Sequence, residues 1–130
     1  MQYGRYQVVD EIGQGSMGIV YRAHDPQINR RIALKLLRQD RVTSEELVQR
    51  FLKEARAMGG LSHPNIATVY DTGRDHGTIF IAMEILRGKS LKDVIREKSL
   101  SHNEIVQIGV QVAEALDFAH RKGIVHRDIK

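Results

Sequence analysis

The sequence contains no cysteine, which removes both a disulfide framework and a thiolate zinc site and fits a reducing, cytoplasmic setting. Long apolar runs are missing too. The longest purely apolar stretch near the middle, 79–83, falls far short of the roughly 20 residues needed to cross a bilayer. The first six residues lack the apolar segment of a secretory leader. With only two prolines, no proline-rich linker divides the chain, and neither an internal repeat nor a low-complexity tract is visible. An excess of one charge is small: 20 Lys and Arg against 16 Asp and Glu give +4. The basic residues are scattered singly or in short pairs such as Arg30 and Arg31, so there is no stripe for nucleic acid. What is present is a 130-residue chain that is 42% hydrophobic, enough for one domain with a real core.

β-Branched and aromatic residues cluster early in short runs bounded by Gly, Pro, Asn and Asp, and predict strands over 6–13, 18–24 and 31–37. Asp25-Pro26 and Asn29 mark the turn between the second and third. Two further runs, 66–71 and 78–86, flank a turn at Asp75-His76-Gly77. Five short strands imply an antiparallel sheet. A helix over 43–58 interrupts them, opening with Thr43 and Glu46 at capping-box spacing and closing at Gly59-Gly60. The last third is helical. Ser90 with Asp93 opens a short helix, and Ser101 with Glu104 opens a longer one that ends before Gly123. The stripe Ile105, Ile108, Gly109, Val112, Leu116 and Ala119 keeps helical spacing.

Three places carry candidate chemistry. The cluster Gly13-Gln14-Gly15-Ser16-Met17-Gly18 fits G-x-G-x-x-G, whose backbone amides can approach phosphate oxygens unobstructed. A dinucleotide fold needs a helix next, yet Ile19, Val20 and Tyr21 favour a strand; a Walker loop needs Lys-Ser/Thr where Ile19-Val20 stand. A glycine loop between two strands remains, either a phosphate cover or a flexible hairpin. Lys35 lies mid-strand on one face with Ala33 and Leu37, and must find an anion or reach solvent. On a helix turning ~100° per residue, Glu54 falls within roughly 20° of Leu47, among Phe51, Ala55 and Met58, and is expected to face inward. Lys35 and Glu54 therefore form either a functional pair, a structural ion pair, or two snorkelling side chains. Finally, His126-Arg127-Asp128-Ile129-Lys130 follows a helix stop. It is either a charged terminus or a functional loop in which Asp128 accepts a hydroxyl proton and Lys130 offsets phosphate charge.

Taken in order, these motifs resemble the eukaryotic-type protein kinases. The resemblance covers the glycine loop from Gly13 to Val20, the A-x-K strand of Ala33 and Lys35, the helix C glutamate Glu54, and His63-Pro64-Asn65-Ile66. It continues through Met83-Glu84-Ile85-Leu86 as gatekeeper and hinge to the catalytic-loop HRDIK. Lysine two residues after the aspartate resembles the serine/threonine branch, and Ser16-Met17-Gly18 with Asp25-Pro26 resembles bacterial members.

The resemblance implies an α+β fold: a kinase-like amino-terminal lobe of five antiparallel strands plus helix C over 1–86 with the hinge, and the start of the large lobe over 87–130. ATP is the implied cofactor. It would be bound by Ile12, Gly13, Gln14, Gly15, Ser16, Met17, Gly18, Ile19, Val20, Ala33, Met83, Glu84 and Leu86, with Lys35 on the phosphates and Glu54 orienting Lys35. Asp128 and Lys130 would act in phosphoryl transfer to a serine or threonine of a protein substrate. Mg2+ is expected for the full-length enzyme. Its family ligands, the asparagine beyond the catalytic aspartate and the D-F-G aspartate, are not in this sequence, nor is the activation segment. The expectation is thus a truncated kinase domain that does not turn over substrate alone, with missing large-lobe elements or another chain covering the 105–119 helix. The alternative is a noncatalytic nucleotide-binding or interaction fragment.

Overall fold

Tight turns dictate the architecture. Gly4 adopts φ 55°, Asn29 49°, His76 50° and Gly77 78°, conformations that glycine and short polar residues enter at least cost. The computed structural model describes residues 1–14, 18–37 and 45–124, apart from the side chains of Leu47 and Glu54. Its strands are β1 (Gln2–Tyr3), β2 (Tyr6–Gln14), β3 (Gly18–Asp25), β4 (Arg30–Leu37), β5 (Val69–Asp75) and β6 (Thr78–Met83). They form one antiparallel sheet in the order β1-β2-β3-β4-β6-β5. The helices are α1 (Glu45–Gly59), α2 (Leu91–Glu97) and α3 (His102–Arg121); among the described residues none is long and apolar enough to cross a membrane.

The five expected strands are present, joined by a sixth. Gly4 and Arg5 form a two-residue loop that folds β1 back on β2, pairing Tyr3 with Tyr6. The strand expected from 66 begins only at Val69, because the preceding residues are committed to a turn: Ile66 N donates to His63 O (3.1 Å) and Asn65 N to His63 Nδ1 (3.0 Å). β6 stops at Met83 rather than at 86. The proposed cap at Thr43 lies outside the described residues.

The sheet curls around one apolar cluster of Tyr6, Ala23, Ile32, Leu34, Leu36, Phe80 and Ala82. Tyr6 and Phe80 meet edge to face, 5.8 Å apart at 71°. Curling brings the sheet's two ends together. Gly4 N donates to Asp75 Oδ2 (2.7 Å) and the Tyr6 hydroxyl to Asp71 Oδ2 (3.0 Å). Burial, then the bond to Asp71, pushes the Tyr6 phenol up to about 12. Asp25, 2% exposed, accepts from Arg5 Nε (3.1 Å), Arg5 Nη2 (3.3 Å) and Gln27 N (3.0 Å). Burial alone would raise its pKa, but the Arg5 and Gln27 hydrogen bonds outweigh that and hold it below the ordinary value.

The opposite sheet face receives α1, whose Val48, Leu52 and Phe51 pack on Leu37 and Ile79. Arg74 of β5 pins the first turn of that helix through Glu45 (3.1 Å), an acidic residue where the helix dipole favours one. Both later caps form as read. Ser90 Oγ accepts from Asp93 N (3.2 Å), and Ser101 with Glu104 makes a complete capping box. α3 is tied back to the sheet's side of the molecule by Asn65 Nδ2 on Gln111 O (3.2 Å) and by His63 against Phe118, with ring centres 5.1 Å apart. None of its residues is buried, and Ile105, Val106, Val110 and Val112 stand exposed.

Candidate functional site

Lys35 occupies the middle of β4, with Val20 of β3 and Ile81 of β6 as its direct neighbours across the strands; Ala33 lies opposite Met83. Strand alternation therefore gathers Val20, Ala33, Lys35, Ile81 and Met83 on one face. Ala33 and Ile81 are buried while Lys35 is half-buried, so an ammonium emerges from an apolar floor. Leu37 and Ile79 belong to the same face at its far end, and there α1 is seated. The helix carrying Glu54 thus lies over the face of Lys35. The Glu54 side chain, and with it the expected pairing, is outside the described residues.

The glycine-rich segment joins strand to strand, with Gly13 opposite Val20 and Gln14 opposite Ile19. No helix follows it, which disposes of the dinucleotide and Walker alternatives. Gly15, Ser16 and Met17 lie outside the described residues. β2 carries two bulges, at Val9 and Ile12, which leave Ile12 41% exposed. Ile19 pairs with Leu36 and stands on the face away from Lys35, so its side chain does not share the apolar floor. The two described glycines have different reasons to be glycine. At Gly18 a Cβ would run into the Leu36 carbonyl, whose carbon is 2.9 Å away, because β4 runs close alongside, with Leu37 opposite Gly18. At Gly13 a Cβ would meet nothing within 4 Å.

Beyond β6, Met83 and Glu84 are half-buried and Leu86 is 68% exposed. Glu84 N donates to Thr68 O (2.7 Å), and Thr68 N donates to Glu84 Oε2 (3.1 Å). Thr68 was not among the candidates from sequence: it contacts Glu84 only through the fold, and nothing local marks it. Asp128 and Lys130, with the rest of 125–130, lie outside the described residues. No group of three His, Asp or Glu suited to a metal occurs among the described residues.

Known proteins share this arrangement. The family model described as protein kinase domain matches residues 6–130. A probable serine/threonine-protein kinase of Clostridium perfringens is 43% identical over 127 residues, covering 97% of this chain and 18% of that protein. The serine/threonine-protein kinase PrkC of Bacillus subtilis is 41% identical over 128 residues, covering 98% of this chain and 20% of its own length. The crystal structure of the Mycobacterium tuberculosis PknI kinase domain superposes with a TM-score of 0.90 at 32% identity, over 100% of this chain and 53% of that one. The chain thus spans about a fifth of the curated relatives it matches and about half of the solved kinase domain.

Proposed function

The chain belongs to the protein kinase domain family, as the amino-terminal part of its catalytic domain, and we propose that it binds ATP for phosphoryl transfer to a serine or threonine of a protein substrate. In this reading 1–86 are the small lobe and hinge and 87–130 begin the large lobe. The observation that carries it is the register that sets Lys35 among Val20, Ala33, Ile81 and Met83, on the face that also seats α1. An apolar floor with one ammonium suits a flat base attached to an anionic phosphate chain. Val20, Ala33 and Met83 border the adenine, and the 84–86 backbone hydrogen-bonds its edge. Lys35, oriented by Glu54, holds the phosphates, with Gly13 to Gly18 above them. The open space over Gly13 supports that close approach. Asp128 takes the proton of the substrate hydroxyl and Lys130 offsets charge on the moving phosphoryl group. The described residues offer no metal cluster, so no step is assigned to Mg2+. The uncovered stripe of α3 is the face on which further large-lobe elements pack.

Calorimetry with ATP on the 130-residue chain tests this reading. Lys35→Ala removes a charge-assisted contact worth about 1.5–3 kcal/mol and is expected to weaken binding roughly ten- to a hundredfold. Equal heats from both proteins would refute the site. The glycines give a finer check. Gly18→Ala should cost about 1–3 kcal/mol of stability in urea melts, because β3 and β4 must separate. Gly13→Ala should leave the melt unchanged within about 0.5 kcal/mol and weaken ATP binding only. The opposite pattern would mean that the loop is a hairpin and nothing more.

A further inference from the structure

We infer that the Glu84 carboxylate is a positioning residue that keeps its own main-chain carbonyl free to accept the exocyclic amine of adenine; the inference rests on the nucleotide reading above. β5 and β6 run antiparallel, with Val69 opposite Met83 as their last pair. One step further along the same register, Thr68 faces Glu84. In a hydrogen-bonded antiparallel pair the two residues exchange both N–H···O=C bonds. Here one half of the exchange is made, Glu84 N to Thr68 O at 2.7 Å. The other half is diverted, since Thr68 N donates to Glu84 Oε2 at 3.1 Å instead of to the Glu84 carbonyl.

The side chain has taken the place of the backbone acceptor. Thr68 N is satisfied, as a partly buried amide must be, yet the ladder ends one bond early. Among the described residues no donor reaches the Glu84 carbonyl oxygen. Glu84 follows directly on Met83, which lies opposite Ala33 on the face of Val20 and Lys35, so this residue stands at the edge of the proposed base site. A bare carbonyl accepts a hydrogen bond and cannot give one. It therefore favours a base bearing an amine over one bearing an oxo group at the same place. Without the carboxylate, Thr68 N would claim this oxygen and the ladder would close by one more bond.

The comparison that tests this is ATP against inosine triphosphate, whose base carries an oxo group where adenine has its amine. Binding is measured calorimetrically on the 130-residue chain and on Glu84→Ala and Glu84→Gln, with circular dichroism to verify folding. The unaltered chain should prefer ATP. In Glu84→Ala, ATP binding should fall about three- to tenfold with inosine triphosphate unchanged, so the preference collapses. Glu84→Gln, whose amide oxygen still accepts from Thr68 N, should retain it. If the alanine variant does not fold, Glu84→Met, of similar length but without an oxygen, takes its place. A folded Ala or Met variant that keeps the full preference, or a Gln variant that loses it, overturns the inference alone and leaves the nucleotide reading standing. An unaltered chain that does not bind ATP overturns the nucleotide reading, and the inference with it.

Discussion

Phe80→Ala should lower the stability of the chain by about 3–5 kcal/mol, enough to unfold much of the population in dilute buffer. Phe80 is 5% exposed and stands at the centre of the curled sheet, edge-on to Tyr6. Two glycines have been shaped around its ring: a Cβ on Gly73 would come within 2.7 Å of Phe80 Cζ, and one on Gly4 within 3.2 Å. Backbone held this closely on both sides cannot collapse into the space the ring leaves, so the cavity term adds in full to the lost transfer energy. Urea unfolding followed by circular dichroism would show the midpoint fall with an unchanged slope. Phe80→Leu, which fills most of the volume, should cost less than half as much. A loss below about 1 kcal/mol for the alanine variant would mean that the core is not organised around this ring.

Hydrogen exchange should divide the molecule. Amides of β3, β4 and β6 should exchange at least about a hundredfold more slowly than those of α3, when the chain is monomeric by light scattering. The strands surround a complete core, whereas α3 buries no residue and exposes Ile105, Val106, Val110 and Val112 on its surface. Its capping box and the contacts to His63 and Asn65 hold its two ends and one side, and they amount to a few kcal/mol against global unfolding. Each aliphatic side chain left in water forgoes roughly 1.5–3 kcal/mol. Equal protection in a verified monomer would show that the helix has found a partner within the chain.

How far these features could be read beforehand depended on how local their causes are. Ser90 with Asp93, and Ser101 with Glu104, are decided within one helical turn, and both formed as the spacing implied. The face shared by Ala33, Lys35 and Leu37 follows from strand alternation and needs no knowledge of neighbours. The end of β6 was not readable, because Ile85 and Leu86 continue the apolar run; only the fold shows Leu86 two-thirds exposed. Nor was the start of β5, where His63 captures the chain into a turn before it can extend. The Glu84 to Thr68 clasp and the demand for glycine at Gly18 arise between strands that are distant or antiparallel in the chain, and no motif records them. The kinase resemblance filled part of that gap by implying roles for Glu84 and Gly18, though for backbone hydrogen bonding and loop character rather than for the side-chain clasp and the close strand approach.

The two bulges of β2 bear on how the molecule behaves in company. β1 covers only the first residues of β2, the last contact being Val8 N on Met1 O (3.0 Å), so from Val9 onward that strand is a sheet edge among the described residues, and Val9 and Ile12 add apolar side chains to it. A straight edge of this kind would be a template on which a second chain could lay a strand of its own. Each bulge inserts one residue against its partner strand, at Val9 and again at Ile12, and so breaks the even spacing that an incoming strand would have to match. The irregularity beside the glycine-rich segment thus also guards this open edge against polymerising contacts.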